Sequence, residues 1–173
     1  MSDTAGDRGG DPWVDALSAE LGSLLAARRW RVTAAESCTG GLVAGAITSV
    51  AGSSGWFDQS YVTYSNAAKS ERLGVAAELI AAHGAVSEAV AKAMAAGALV
   101  AAKADLAVAI TGIAGPGGAT PGKPVGTVCF AWAVGNRPPE ARTQHFDGDR
   151  SAVRRASVVA ALEGLIERAR EGG

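Results

Sequence analysis

The chain has 173 residues and a net charge of -1, with 16 basic and 17 acidic side chains. This length allows one core rather than two full domains, and the balanced charge excludes a broad positive field for holding a nucleic-acid backbone. Apolar residues make up 48% of the chain but aromatic residues only 5%, so small aliphatic side chains must build the core. We therefore expect one domain and no nucleic-acid partner.

The start of the chain, Met1 to Asp11, is polar and has no apolar stretch after a basic segment, which argues against a secretory signal. No run of about 18 apolar residues predicts a membrane span, so no membrane partner is expected. Cys38 and Cys129 are far apart and have no close histidine, which indicates neither a disulfide framework nor a zinc site. We predict a cytoplasmic protein with a disordered lead over 1–12 and one domain over 13–173.

Apolar residues at helical spacing alternate along the chain with short apolar runs typical of strands. Five helices are predicted: from the Asp11-Pro12 cap to about Arg29, from about Gly40 to Val50, over Asn66–Leu73, from Ser87 to Lys103, and onward from Asp149. In the fourth of these, Val90, Met94 and Ala101 form an apolar stripe. The predicted strands are Arg31–Ala35, Ser60–Ser65, Leu106–Ile110, Val125–Val134 and Ala141–Phe146. This order predicts an α/β single-domain layered sandwich, with a mixed, mostly parallel sheet and helices on both faces.

Two glycine-rich segments, 36–41 and 111–118, begin where predicted strands end, which is where open α/β sheets bind ligands. The first puts Ser37 in a strand-to-helix turn, and the amides of Thr39 to Gly41 are suited to an oxyanion or a phosphate. A serine in such a turn is more often a structural cap, and the spacing matches neither the G-x-S-x-G elbow nor the P-loop. The second segment is equally typical of a plain surface loop.

A serine nucleophile needs a base, and the choice of base stays open from the residues alone. His83 and His145 have the positions of structural or surface histidines, and Lys69 would serve only if burial lowered its pKa. Cys38 is an alternative nucleophile beside a helix start, although adjacent turn residues point in different directions. Possible anion contacts are Lys123, Arg150 and Arg154.

Four motifs in order resemble the CinA C-terminal domain family, which includes bacterial nicotinamide-nucleotide amidohydrolases. They are Ala35-Glu36-Ser37-Cys38-Thr39-Gly40-Gly41, Tyr64-Ser65-Asn66 with Lys69, Gly84-Ala85-Val86-Ser87, and the segment 111–118. The resemblance implies a serine/lysine hydrolase with Ser37 as nucleophile and Lys69 as general base, while Tyr64 and Thr111 orient the pair or bind the amide. Together with the two glycine-rich segments and the possible anion contacts, it leads us to expect substrate-binding residues at Glu36, Thr39, Gly40, Gly41, Asn66, Gly112, Gly115, Gly117, Gly118 and Arg150.

The same resemblance implies hydrolysis of a small nucleotide, nicotinamide mononucleotide, to nicotinic acid mononucleotide and ammonia. It implies no metal and no cofactor, and it suggests a homo-oligomer. Longer members of the family carry an additional N-terminal domain, where this chain has only its polar lead. The alternatives are a non-catalytic module that binds a pyridine nucleotide or serves a competence-related interaction, and an amidohydrolase for another small amide.

Overall fold

The computed structural model describes residues 10–172, so the predicted disordered lead lies, over residues 1–9, outside the described residues. Asp11 and Pro12 belong to the first helix, because the Asp11 carboxylate accepts a hydrogen bond from the Trp13 amide and Pro12 takes the first helical position. The helices are α1 (Pro12–Arg28), α2 (Leu42–Thr48), α3 (Asn66–Leu73), α4 (Ala77–His83), α5 (Glu88–Ala102) and α6 (Arg150–Glu171). The strands are β1 (Val32–Glu36), β2 (Tyr61–Val62), β3 (Leu106–Gly112), β4 (Thr127–Val134) and β5 (Glu140–His145).

The strands form one mixed sheet in the order β2-β1-β3-β4-β5. Strand β1 pairs parallel with β2 and β3, whereas β3 with β4 and β4 with β5 pair antiparallel. The predicted layered α/β fold with a mixed sheet is therefore confirmed. The sheet was predicted to be mostly parallel, but only two of its four strand pairings are parallel. The reason is that no crossover helix lies between β3 and β4, so the chain turns back and β4 pairs antiparallel with β3.

The two faces of the sheet bury different kinds of side chain. On one face the alternating residues Leu106, Val108 and Ile110 of β3 pack with α1, α2 and α6. On the other face Ala107 and Ala109 pack with the core of α3, α4 and α5. Small side chains on this second face allow the alanine-rich helix α5 to lie close to the sheet. No helix within residues 10–172 has both the length and the apolar character needed to cross a membrane.

Helix α5 also approaches α3 closely, through a glycine. A Cβ atom added at Gly97 would lie 1.9 Å from the carbonyl oxygen of Leu73, the last residue of α3. No side chain fits there without displacing backbone, so Gly97 fixes the distance between the two helices.

Three predictions about elements were wrong in detail. Helix α4 was not predicted, since its seven residues are too few for periodicity to appear and only Ile80 among them is buried. The strand predicted over Ser60–Ser65 contracts to β2, because Ser65 leaves the sheet and caps α3 by accepting a hydrogen bond from the Ala68 amide. Ala101, assigned to the apolar stripe of α5, is exposed, and the buried stripe continues instead through Ala98 and Ala102.

Candidate active site

Ser37 and Lys69 meet at the carboxyl end of β1. Ser37 is the first residue after β1, and its amide donates to the carbonyl of Ile110 in β3 at 2.9 Å. Lys69 lies on α3, and its Nζ atom donates to Ser37 Oγ at 3.1 Å and to the carbonyl oxygen of Thr63 at 2.8 Å. The sheet therefore places the hydroxyl and helix α3 places the amine.

The turn that presents Ser37 is held by the preceding residue. The Glu36 carboxylate is fully buried and accepts hydrogen bonds from the amides of Gly41, Val43 and Ala44 at 3.2, 2.9 and 3.0 Å. A carboxylate at this place satisfies amides that the first turn of a helix leaves unpaired, and it complements the positive end of the helix dipole. Glu36 was predicted to contact substrate. Its carboxylate instead caps α2 and thereby stabilises the turn that contains Ser37.

Burial controls the charge of the Lys69 amine. Its side chain is only 1% exposed, and the loss of water lowers its pKa below the usual lysine value. Within residues 10–172 no carboxylate lies within salt-bridge distance of Lys69 to oppose this effect. A neutral amine can accept the proton of a neighbouring hydroxyl, so the environment favours a general base.

A cavity of about 220 Å³ opens above this pair. Of the predicted site residues, seven line it: Ser37, Tyr64, Asn66, Lys69, Thr111, Gly112 and Arg150. Ala114 of the 111–118 segment also lines it, as do Ala85 and Val86, which sequence reasoning did not assign to the site. The Gly84-Ala85-Val86-Ser87 motif was the signal available for these two.

Cys38 also lines the cavity, but its environment opposes a thiolate. Burial raises the pKa of the Cys38 thiol to about 11, so it stays protonated at neutral pH. Neither histidine lines the cavity, and His145 is engaged at its Nε2 atom with the carbonyl of Val125 at 2.9 Å. Among the alternatives for nucleophile and base in the described residues, Ser37 and Lys69 are the pair joined by a hydrogen bond.

Hydrogen bonds join the rim of the cavity to its loops. Thr111 Oγ1 donates to the carbonyl of Ala85 at 2.8 Å, which ties the end of β3 to the loop before α5. Arg150, at the start of α6, donates through Nη1 to the carbonyl of Gly115 at 2.9 Å and through Nη2 to the Tyr64 hydroxyl at 3.1 Å. Arg150 therefore joins the glycine-rich loop to Tyr64.

The remaining predicted binding residues lie outside this cavity. The Gly40 amide donates to the carbonyl of Ser37 and the Gly41 amide to Glu36, so neither is free for a ligand. Both glycines have positive φ, which the tight turn before α2 requires. Thr39 is fully buried beneath the turn. Of the second segment, Gly115 contributes its carbonyl to Arg150, Gly118 lines a neighbouring cavity, and Gly117 lines neither of the two.

The residues of the described range 10–172 contain no group of three or more His, Cys, Asp or Glu side chains arranged to hold a metal ion. Both cysteines are unpaired and buried.

Comparison with known proteins gives consistent results. The family model for the CinA C-terminal domain matches residues 14–169. A Pseudomonas putida protein named nicotinamide-nucleotide amidohydrolase PncC is 54% identical over 157 residues, which cover 91% of this chain and 97% of that protein. The Escherichia coli K12 protein of the same name is 55% identical, over 86% of this chain and 90% of its own length. A crystal structure of a CinA superfamily protein from Klebsiella pneumoniae aligns with a TM-score of 0.88 at 42% identity, covering 91% of this chain and 98% of its own.

Proposed function

The chain belongs to the CinA C-terminal domain family, and from that premise we propose that it hydrolyses the carboxamide of nicotinamide mononucleotide to nicotinic acid mononucleotide and ammonia. The observation that carries the proposal is the buried Lys69 Nζ atom 3.1 Å from Ser37 Oγ at the floor of a polar cavity. The names of the relatives from Pseudomonas putida and Escherichia coli support the substrate class and the amide hydrolysis.

In the first half of the reaction, neutral Lys69 accepts the Ser37 hydroxyl proton while Oγ forms a bond to the carboxamide carbon. The hydrogen bond from Lys69 to the Thr63 carbonyl holds the amine in place as its lone pair turns to Ser37. The tetrahedral intermediate then breaks its carbon–nitrogen bond, and the Lys69 ammonium returns the proton so that ammonia leaves. An ester between Ser37 and the nicotinoyl group remains.

In the second half, a water molecule takes the place vacated by ammonia. Lys69 accepts a proton from this water as its oxygen attacks the ester carbon, and Ser37 Oγ leaves with the proton that Lys69 gives back. The products are the carboxylic acid and the free hydroxyl, so the two halves balance without any further reactant.

Backbone amides are the donors suited to the developing oxyanion. Since the amides of Gly40 and Gly41 are already used, we assign this role to an amide that has no acceptor in residues 10–172 and belongs to a residue lining the cavity, such as that of Ala114. We assign Tyr64 and Asn66 to the rim that contacts the nicotinamide group, and Arg150 to the positioning of Tyr64.

The activity is proposed for a single domain over 13–173, in agreement with the family match over 14–169. We also propose that this domain acts in the cytoplasm, where a reducing environment suits the two unpaired cysteines Cys38 and Cys129, and that it is a homo-oligomer. Sedimentation at micromolar concentration tests the last point, and a monomer alone would contradict it.

The direct test is incubation of the purified protein with nicotinamide mononucleotide in the presence of a chelator. We expect equal amounts of ammonia and nicotinic acid mononucleotide, the first measured enzymatically and the second by NMR. A panel of nicotinamide, nicotinamide riboside and asparagine tests the substrate class. Binding of the nucleotide without ammonia release would favour the non-catalytic module instead.

A further inference from the structure

A second cavity of about 170 Å³ adjoins the Ser37 cavity. Ala85 and Val86 line both cavities, so the loop before α5 borders both spaces. The lining of the second cavity also includes Gly118, Thr120 and Lys123, from the glycine-rich loop between β3 and β4. A ligand that lies along Ala85 and Val86 would reach both spaces.

Of the described residues that line this second cavity, Lys123 alone carries a charge. Its Nζ atom donates to the carbonyl of His83 at 3.0 Å, and within residues 10–172 no carboxylate lies within salt-bridge distance of it. An ammonium has three donors, so two remain for a ligand. The cavity therefore presents a positive charge without a protein counter-charge.

The two arginines near the site hold other parts of the protein. Arg150 donates to Gly115 and Tyr64, and Arg154 donates through Nε and Nη2 to the carbonyls of Cys38 and Thr39 at 3.1 and 3.3 Å. Neither arginine lines the second cavity. Among these three cations, Lys123 is therefore the one placed to contact an anionic group there.

The backbone holds Lys123 in a fixed position. Its amide donates to the carbonyl of Thr120, and the Thr120 amide donates to the carbonyl of Lys123, each at 3.0 Å. A Cβ atom at Gly84, which has a φ of +78°, would lie 3.3 Å from Lys123 Nζ, so the glycine leaves room for the ammonium. Thr120, which carries a hydroxyl, also lines the cavity.

We propose that the second cavity binds the phosphate of the nucleotide substrate, with Lys123 as its ionic contact. The inference rests on the proposed function, because the carboxamide and the phosphate stand at opposite ends of the nucleotide. With the carboxamide at Ser37, the phosphate lies beyond the first cavity, and Ala85 and Val86 lead to Lys123. The subsite makes the enzyme selective for the nucleotide over the riboside.

The test compares nicotinamide mononucleotide with nicotinamide riboside, which lacks the phosphate, as substrate or as competitive inhibitor. Lys123→Gln keeps a polar side chain with N–H donors but removes the charge, and Lys123→Arg keeps the charge. We expect Lys123→Gln to raise KM for the nucleotide about tenfold, since a charged hydrogen bond is lost, with kcat and the riboside constants unchanged within twofold. Lys123→Arg should recover most of the affinity. Lys92→Gln, an exposed change on α5, is the control and should have no effect.

An unchanged KM for the nucleotide in Lys123→Gln, or an equal loss for the riboside, would overturn the inference while leaving the amidohydrolase activity intact. If the wild type releases no ammonia, the proposed function fails, and calorimetric binding of the same two ligands decides the subsite. The subsite is supported if the wild type binds the nucleotide more tightly than the riboside and this difference disappears in Lys123→Gln. Any other pattern contradicts the subsite.

Discussion

The guanidinium of Arg150 lies 3.1 Å from the hydroxyl of Tyr64, across 86 residues of chain. This contact joins the start of α6 to the residue before the cap of α3, and both side chains line the Ser37 cavity. Tyr64 is 61% exposed, so burial contributes little to holding its ring at the rim. We therefore expect the position of Tyr64 to depend on Arg150.

A double-mutant cycle tests this dependence. We expect Tyr64→Phe and Arg150→Ala each to lower kcat/KM for nicotinamide mononucleotide, and the double variant to lose less than the product of the two losses. A coupling of about 0.5 kcal/mol or more fits two residues in contact. Tyr64→Phe combined with Arg170→Ala, a change near the far end of α6, is the additive control. Strict additivity in the first pair would show that the two residues act separately.

The pH dependence of turnover should report the Lys69 amine. Burial lowers the pKa of this group. The proposed reaction requires its neutral form. We therefore expect kcat/KM to rise with pH through one ionisation below the usual lysine value of about 10.4 and then to level off. A rate that is independent of pH across this interval, or that falls as pH rises, would be inconsistent with Lys69 as the base.

Protein stability should depend on the same amine. The pKa of Lys69 is lower in the folded protein than in the unfolded chain. At pH values between these two pKa values the unfolded chain binds more protons than the folded protein, so the contribution of Lys69 to the free energy of unfolding increases as pH rises through that interval. Lys69→Met removes this gain. Urea denaturation should therefore show the free energy of unfolding of Lys69→Met falling, relative to wild type, as pH rises from neutral to about 10. A constant difference would mean that burial leaves this pKa unchanged.

Glu36 should matter for stability rather than for substrate contact. Glu36→Gln leaves one acceptor oxygen for three amides and removes the charge at the start of α2, which we expect to cost about 1–3 kcal/mol. Glu78→Gln is the matched control, because Glu78 is an exposed acid in the first turn of α4, and its loss should cost no more than about 0.5 kcal/mol. Equal losses in urea denaturation would refute the capping role.

Two glycine-to-alanine changes in helices should have opposite effects. Gly97→Ala places a methyl group against the carbonyl of Leu73, so we expect a loss of about 3 kcal/mol and lower activity, since Leu73 ends the helix that carries Lys69. Gly45→Ala on α2 meets nothing within 4 Å and should stabilise the protein by about 0.5–1 kcal/mol. Thermal unfolding of both variants measures the contrast, and a Gly97→Ala variant as stable as the wild type would contradict the close helix approach.

Local chemistry was sufficient to predict most of the elements. The Asp11-Pro12 start of α1, the bounds of α3 and the apolar run of β3 all follow from capping residues and periodicity. Helix α4 did not follow, because its short amphipathic pattern is too weak to separate from a loop. The sheet order likewise depends on long-range pairing that no local pattern contains.

The candidate site was only partly predictable for a similar reason. Ser37 and Lys69 are 32 residues apart, and their contact depends on the parallel pairing of β1 with β2 and on the direction in which α3 leaves the sheet. From spacing alone Lys69 reads as a solvated helix lysine, and only the family resemblance made it a base. The capping role of Glu36 was missed because a carboxylate beside a serine suggests a ligand contact as readily as a helix cap.

The central claim is that Ser37 and Lys69 together hydrolyse the amide, and ammonia release by three variants tests it most directly. Ser37→Ala and Lys69→Met should each lower kcat at least about 10²-fold, while Lys92→Met on the exposed face of α5 keeps the wild-type rate. Circular dichroism should show that all three variants are folded. Wild-type ammonia release from folded Ser37→Ala or folded Lys69→Met would contradict the account.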